Sequence, residues 1–110
     1  AGRVAKDIVA RNCTDRACVF ATKRWRSTVG EIDLIMRNGT QVVFVEVKKS
    51  GSFARAATQL QRSQMDRLVA AGSEFLASAP MGQLTDVRFD LALVNGIGDV
   101  QNIENAFDAG

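Results

Sequence analysis

The pattern of apolar and polar residues near the middle of the chain predicts two neighbouring strands. Apolar and polar residues alternate over Glu31–Arg37, and Val42–Val47 is rich in β-branched residues, which are favoured in strands. Asn38 and Gly39 lie between the two runs, and Asn-Gly is the strongest short signal for a hairpin. The pattern therefore predicts a β-hairpin with Asn38 and Gly39 as its loop.

The register of this hairpin decides which side chains meet. With a two-residue loop, Arg37 faces Thr40. Counting back along both strands then puts Glu31 opposite Glu46, with Asp33 diagonal to Glu46. Directly paired residues project to the same side and the side-chain period is two, so we predict that the three carboxylates share one sheet face. A three-residue loop would send Asp33 and Glu46 to opposite faces.

Three carboxylates on one face suggest a metal site. Two carboxylates about 5 Å apart repel by roughly 3 kcal/mol at an effective dielectric of about 20, and a divalent cation would compensate this repulsion. Oxygen ligands suit Mg²⁺ or Mn²⁺. We predict that Asp33, Glu46 and the Val47 carbonyl hold the ion. Glu31 is a further candidate, and Lys48 lies on the same face. The alternative is a solvated strand face with scattered charges.

Periodic apolar residues predict the other elements of an α/β fold, with a mixed sheet of about five strands flanked by helices. A first helix of about ten residues is expected around Val4–Val9, and a strand begins at Cys18. A longer helix, ended by Pro80, precedes strands at Val87–Leu93 and Val100–Ile103. Its predicted core stripe is Leu60, Met65, Leu68, Val69, Gly72, Phe75 and Leu76.

The same residues carry a resemblance that covers nearly the whole chain. The chain reads RWR, then GEIDLI and VVFVEVKK, then SQMDRLVAAGSEFLASAP, and finally RFDLALV and ENAF. In this order it resembles the YraN family of small bacterial proteins. The resemblance implies a restriction-endonuclease-like fold, similar to Holliday-junction resolvases. The core motif of that superfamily is an aspartate on one strand and (D/E)-x-K on the next.

Carried over position by position, the resemblance assigns roles to individual residues. The motif aspartate is Asp33, the glutamate of E-x-K is Glu46 and its lysine is Lys48. Superfamily members often have a further glutamate in the first helix and a lysine or glutamine in the helix after the hairpin. Here Lys6 stands where an acid is expected, which argues against a metal ligand in the first helix. Gln64 is the candidate in the second.

The net charge of +2 is unevenly distributed along the chain. The first 55 residues hold 11 of the 14 Lys and Arg residues against 5 acids, and the remaining 55 hold 3 against 7. This asymmetry predicts a basic surface that faces a polyanion. We assign Lys23, Arg24 and Arg26, just before the hairpin, to nucleic-acid binding together with Lys49. The alternative is a solvated basic face.

Two conspicuous features are interpreted as structural. Trp25 stands among basic residues, where a base-stacking platform is the alternative, but a core position is the simpler account. Asp90 follows Arg88 by two positions and shares its strand face, so a salt bridge between them is the simpler interpretation. A supporting role for Asp90 in catalysis is the alternative.

Missing residue types narrow the chemistry. The chain has no His and no Tyr, so neither the commonest general base nor a phosphotyrosine intermediate is available. Cys13 and Cys18 are too few for structural zinc without histidine partners. We interpret them as reduced, buried side chains.

Length and hydropathy set the remaining expectations. With 46% hydrophobic residues, residues 1–110 are predicted to form a single domain, and the resemblance implies that this domain is nuclease-like. No apolar run reaches the roughly 18 residues of a membrane span, and no signal-peptide pattern opens the chain. We therefore expect no membrane partner and a cytoplasmic location.

The favoured hypothesis is a nuclease that uses Mg²⁺ or Mn²⁺ to hydrolyse phosphodiester bonds in DNA or RNA, with DNA as the favoured partner. Lys48 would position the attacking water or offset charge in the transition state. The runner-up is a nucleic-acid-binding accessory module with little or no turnover, and the third reading is an interaction protein with incidental charges. Resolvase-like proteins act as two-fold dimers, so a homodimer stays open.

Overall fold

The computed structural model of the chain describes residues 2–15, 19–38, 41–49, 51–52, 62–77, 82 and 85–107. Their elements are α1 (Gly2–Asp15), β1 (Val19–Arg26), β2 (Glu31–Asn38), β3 (Gln41–Lys49), α2 (Arg62–Leu76), β4 (Val87–Val94) and β5 (Val100–Phe107). The five predicted strands and two predicted helices are all present. Some residues named in the predictions lie outside the described residues. They are Cys18, Leu60 and Pro80, together with the side chain of Cys13.

The five strands form one mixed sheet in the order β1-β2-β3-β4-β5. Neighbouring strands are antiparallel except for β3 and β4, which are parallel. A parallel pair needs a long connection between its strands, and α2 lies in the segment that joins β3 to β4. The fold is therefore α/β with a five-stranded mixed sheet flanked by helices, as predicted. It is compatible with a restriction-endonuclease-like core.

Strands β2 and β3 are buried on both faces, by α1 on one side and α2 on the other. The cluster with α1 contains Ala5, Val9, Leu34, Met36, Val43, Val45, Ala92 and Val94. The cluster with α2 contains Ile32, Ile35, Val42, Phe44, Leu68, Ala71, Leu76 and Phe89. Each large apolar side chain buried in this way contributes about 1.5–3 kcal/mol. Charged side chains of the two strands therefore lie outside the stretch that both helices cover, which is residues 34–36 of β2 and 42–45 of β3.

The hairpin register is shifted by two residues from the predicted one. Asn38 pairs with Gln41, whereas the predicted register paired Arg37 with Thr40. The predicted loop is therefore wrong, because Asn38 belongs to β2. The two residues between the strands are Gly39 and Thr40, which lie outside the described residues. Within the paired region, a shift by an even number of residues leaves side chains on their predicted faces.

Helix α2 presents its predicted apolar stripe to the sheet, with Leu68 and Leu76 buried. Phe75 packs edge-to-face on Trp25, with ring centroids 5.5 Å apart, which confirms the interpretation of Trp25 as a core residue. The helix ends at Leu76 rather than at Pro80, as helices usually do at or before the residue preceding a proline. No helix in the described part of the chain has the length and apolar character needed to cross a membrane.

Arg88 and Asp90 form the predicted salt bridge on β4. The Asp90 side chain is 8% exposed, and Arg88 Nε and Nη2 donate to its two carboxylate oxygens at 2.8 and 2.9 Å. The Asn105 backbone N–H donates to the same carboxylate at 2.9 Å. This contact lies where the register of β4 and β5 shifts between Phe89 and Leu91. The buried carboxylate therefore holds the irregular part of β5 in place.

Replacing Arg88 with methionine should destabilise the fold by about 3 kcal/mol or more, because it leaves a buried carboxylate without its bidentate partner. Urea denaturation measures the loss. Arg62→Met is the matched control, since Arg62 pairs with Asp66 at 3.2 Å on an exposed helix face. Exposed pairs of this kind contribute about 0.3–0.5 kcal/mol. Equal losses in the two variants would contradict the structural role of Arg88.

Candidate functional site

The ladder between β2 and β3 stops immediately before the predicted site. Its last pair in this direction is Leu34 with Val45, and the same register places Asp33 next, opposite Glu46. Beyond this pair, the Val47 backbone N–H of β3 donates to the Asp33 side chain, at 2.8 Å from Oδ2, instead of to the backbone of β2. A backbone N–H withdrawn from water needs such an acceptor. Asp33 is therefore anchored to the backbone of β3.

The predicted carboxylates meet, but the side chains of β2 do not alternate regularly between the two faces of the sheet. Ile32 and Ile35 both pack into the cluster with α2, although residues three apart in a regular strand face opposite sides. The ladder with β3 has ended at this point, while β2 stays paired with β1 through Ile32 with Trp25 and Glu31 with Arg26. The prediction of one regular sheet face for Glu31, Asp33 and Glu46 is corrected accordingly. They meet at the end of the ladder, between α1 and α2.

Asp33 and Glu46 form a hydrogen-bonded carboxyl pair. Burial, the hydrogen bond to Asp33 and the Asp33 charge raise the pKa of Glu46 to about 8, and the charge of Lys48 opposes this only in part. Burial also acts to raise the pKa of Asp33. However, hydrogen bonds from Glu46, the Val47 N–H and Lys6 outweigh burial, so the pKa of Asp33 is lowered. In the absence of a metal ion, Asp33 is ionised near neutral pH and Glu46 carries the shared proton.

Lys6 of α1 reaches the same carboxylates. Its Nζ lies 3.0 Å from Asp33 Oδ1 and 3.6 Å from Glu31 Oε1. Burial acts to lower the pKa of Lys6, but hydrogen bonding and charge from Asp33 and Glu31 outweigh it, so the pKa of Lys6 is raised. Lys6 is therefore a charged member of the site, at the position where the resemblance led us to expect an acid.

An open cleft of about 270 Å³ is lined by the three carboxyl side chains and by Lys48. Its walls combine residues of both hairpin strands with one face of α2. Since a water occupies about 30 Å³ in the liquid, the cleft has room for a hydrated cation together with a phosphate group. The residues that line it are Glu31, Asp33, Glu46, Lys48, Gln64, Arg67 and Leu68.

The turn between β1 and β2 leaves space for Arg67 to reach the cleft. A Cβ atom on Gly30 would lie 2.7 Å from Arg67 Cδ, so a larger residue would displace the arginine. The Ser27 hydroxyl donates to the Gly30 carbonyl at 2.8 Å and accepts the Gly30 N–H at 3.0 Å. The Thr28 N–H donates to the Glu74 carboxylate on α2 at 3.1 Å. The turn is thus tied to the helix that carries Arg67.

Two of the four residues predicted to bind nucleic acid have side chains that the structure describes. Arg26 is 85% exposed and its Nε lies 3.8 Å from Glu31 Oε2. Lys49 is exposed at the end of β3. Lys23 and Arg24 lie in β1, and their side chains are outside the part of the chain that the structure describes. Their roles stay predictions.

Two members of the site were missed by sequence reasoning. Arg67 could have been found, because it follows the predicted Gln64 by three positions and so shares its helix face. For Lys6 the sequence offered only a weak indication of a role in the site, namely a basic residue at a position where the resemblance led us to expect an acid. That it contacts Asp33 follows from how α1 packs on the sheet.

The oxygen ligands available at the site suit a divalent cation. Asp33 and Glu46 do not both ionise near neutral pH without a compensating charge, and one or two carboxylates with waters commonly hold Mg²⁺. Among the described residues, no group of three or more Asp, Glu, His or Cys side chains is arranged to hold an ion, and Glu31 is engaged by Lys6. The residues that would hold Mg²⁺ or Mn²⁺ are therefore Asp33 and Glu46, with the Val47 carbonyl.

Comparison with known proteins identifies relatives over nearly the whole chain. The model of the uncharacterised protein family UPF0102, the YraN family of the sequence resemblance, matches residues 5–94. A UPF0102 protein of Cereibacter sphaeroides is 55% identical over 109 residues, covering 99% of this chain and 93% of the relative. One of Ruegeria pomeroyi is 54% identical over 110 residues, covering 100% and 89%. One of Dinoroseobacter shibae is 41% identical over 104 residues, covering 94% and 78%.

Replacing Glu46 with glutamine should remove a pH dependence of stability. The pKa of Glu46 rises from 4.5 to about 8 on folding, so between these values the folded state binds more protons than the unfolded state. The stability contributed by the protonated side chain is complete below about pH 4.5. It is lost as pH rises toward 8, by roughly 1 kcal/mol per pH unit.

Thermal melts in EDTA at about pH 5 and about pH 8 measure this effect. The unmodified chain should lose stability relative to Glu46→Gln as pH rises. Glu104→Gln, at an exposed position on β5, is the control for removing a carboxylate. A difference in Tm that is the same at both pH values would show that Glu46 is not protonated in the fold.

Proposed function

The chain belongs to the uncharacterised UPF0102 family, and we propose that it is a metal-dependent nuclease that hydrolyses phosphodiester bonds in DNA or RNA. The family's name states no activity, so the support comes from the site itself. The observation that carries the proposal is the partly buried Asp33–Glu46 pair beside Lys48 in an open cleft. Two carboxyl groups forced to share a proton weaken a fold at neutral pH, and such perturbed groups cluster at functional sites.

Several residues of the site would have distinct roles in this chemistry. Mg²⁺ or Mn²⁺ held by Asp33, Glu46 and the Val47 carbonyl would act as a Lewis acid that polarises the phosphate and lowers the pKa of an attacking water. Lys48 would orient that water or offset the negative charge that develops on the phosphate in the transition state. Gln64, on the opposite wall, can hydrogen-bond a phosphate oxygen. The similarity to resolvases adds branched DNA to the candidate substrates.

A second candidate is a nucleic-acid-binding module with this fold and little or no turnover. The observation that favours it is Lys6, which lies 3.0 Å from Asp33 and already compensates part of the carboxylate charge. A protein of this kind would bind nucleic acid without a divalent cation. Metal dependence and turnover separate the two candidates.

Lys48→Ala separates an enzyme from a binding module. The lysine would act on charge that develops in the transition state, so its loss should lower turnover by about 100-fold or more. Affinity for nucleic acid should fall only by the effect of one lost charge, as it should in Lys49→Ala. Cleavage with Mn²⁺ is measured on single-stranded, duplex, flapped and four-way substrates.

The comparison of Lys48→Ala with Lys49→Ala controls for the loss of charge, since both residues lie at the end of β3. Equal turnover in the two variants would remove Lys48 from the chemistry. If the unmodified chain binds the substrates but cuts none of them with Mn²⁺, the binding-module reading replaces the nuclease.

The basic residues of β1 should set the salt dependence of nucleic-acid binding. Each phosphate contact releases counterions, so replacing Lys23, Arg24 and Arg26 together should flatten the dependence of log affinity on log salt by up to about one unit per lost contact. Titrations at several salt concentrations measure the slope. An unchanged slope would place the binding face elsewhere, and the exposed Arg62 of α2 serves as the control.

A further inference from the structure

Lys6 is held at the site by the hydrophobic core. Its neighbours on α1, Ala5 and Val9, are each 1% exposed and pack against β2 and β3. The side chains of Lys6 and Asp33 are only 19% and 13% exposed. Exposed ion pairs contribute little, whereas this pair is largely shielded from water and joins two elements that are anchored in the core. The proximity of Lys6 to Asp33 is therefore a property of the fold.

Both oxygens of Asp33 already have partners. Oδ1 lies 3.0 Å from the ammonium of Lys6 and Oδ2 accepts the Val47 N–H at 2.8 Å. A carboxylate that ligates Mg²⁺ or Mn²⁺ must offer an oxygen lone pair, and an ammonium on the same oxygen repels a divalent cation. Lys6 and a metal ion therefore compete for Asp33.

Glu31 gives Lys6 a second acceptor. Glu31 Oε1 lies 3.6 Å from Lys6 Nζ, and the lysine stem is flexible, so a small rotation transfers the ammonium from Asp33 to Glu31. The contact of Glu31 with Arg26, at 3.8 Å, is made by its other oxygen, Oε2. The transfer therefore needs no change in the pairing of Glu31 with Arg26.

We propose that Lys6 is the resident counter-ion of the site and that it moves from Asp33 to Glu31 when a divalent cation binds. This inference rests on the proposed metal site of Asp33 and Glu46. Lys6 then limits the affinity for the ion, because its displacement accompanies every binding event. Glu31 assists binding by accepting Lys6, and it is not a ligand.

The Mn²⁺ affinity of the full chain tests this without a nuclease assay, by electron paramagnetic resonance of free Mn²⁺ and by thermal shift. Lys6→Met should raise the affinity by about tenfold or more, within the range for groups that contact metal ligands. Lys6→Arg keeps the charge and should not raise it. Arg11→Met removes an exposed charge from the same helix and should change the affinity by less than about twofold.

A double-mutant cycle separates the two roles available to Glu31. Glu31→Gln alone should lower the Mn²⁺ affinity by about tenfold, because Lys6 loses its second acceptor. In the Lys6→Met background the same substitution should have no effect. An equal loss in both backgrounds would make Glu31 a ligand and overturn the proposal.

The remaining outcomes distinguish this inference from the proposed function. If Lys6→Met leaves the affinity unchanged while Asp33→Asn abolishes binding, the role of Lys6 is overturned and the metal site stands. If neither the unmodified chain nor Lys6→Met binds Mn²⁺, both are overturned. Circular dichroism at the titration temperature verifies that each variant is folded, and Lys6→Gln is the second variant if Lys6→Met does not fold.

Discussion

Burial of β2 and β3 on both faces is the constraint on which the rest of the structure depends. With α1 on one face and α2 on the other, residues 34–36 of β2 and 42–45 of β3 are all apolar and buried. Charged residues of the two strands lie on either side of this stretch, with Arg37 towards the hairpin loop and the carboxylates at the other end. The ladder stops at Leu34 and Val45, and the carboxylates of the site begin at the next position of each strand. The position of the site therefore follows from the extent of the core.

Among the described residues, the buried Asp90 and the partly buried Asp33–Glu46 pair differ in how their charge is compensated. Asp90 has a bidentate arginine and a backbone N–H, which satisfies it fully and ties β5 to β4. Asp33 instead faces a second carboxyl group, a lysine and one backbone N–H. These contacts give Asp90 a purely structural role. The Asp33–Glu46 pair leaves one carboxyl protonated at neutral pH, and the cleft beside it gives a cation or a phosphate access to that group.

The local elements were predictable because their signals lie within short stretches of sequence. The hairpin strands, the apolar stripe of α2 and the pairing of Arg88 with Asp90 each follow from a period or from one spacing along the chain. The register of the hairpin was predicted two residues away from the observed one. Asp33 and Glu46 still meet, because the observed register places them opposite each other instead of diagonally. The interrupted alternation at Ile32 was not predictable, since it depends on where β2 separates from β3.

The sequence by itself determined the family, the α/β class and the residue types of the candidate site, because hydrophobic periodicity and motif spacing are properties of neighbouring positions. Only the tertiary structure decided that Lys6 contacts Asp33 and that Arg67 passes Gly30 into the cleft. These contacts join residues that are far apart in the chain, and no local pattern records them. Their geometry is set by how α1 and α2 pack on opposite faces of the sheet. The packing of the core therefore decides the charge that surrounds the carboxyl pair.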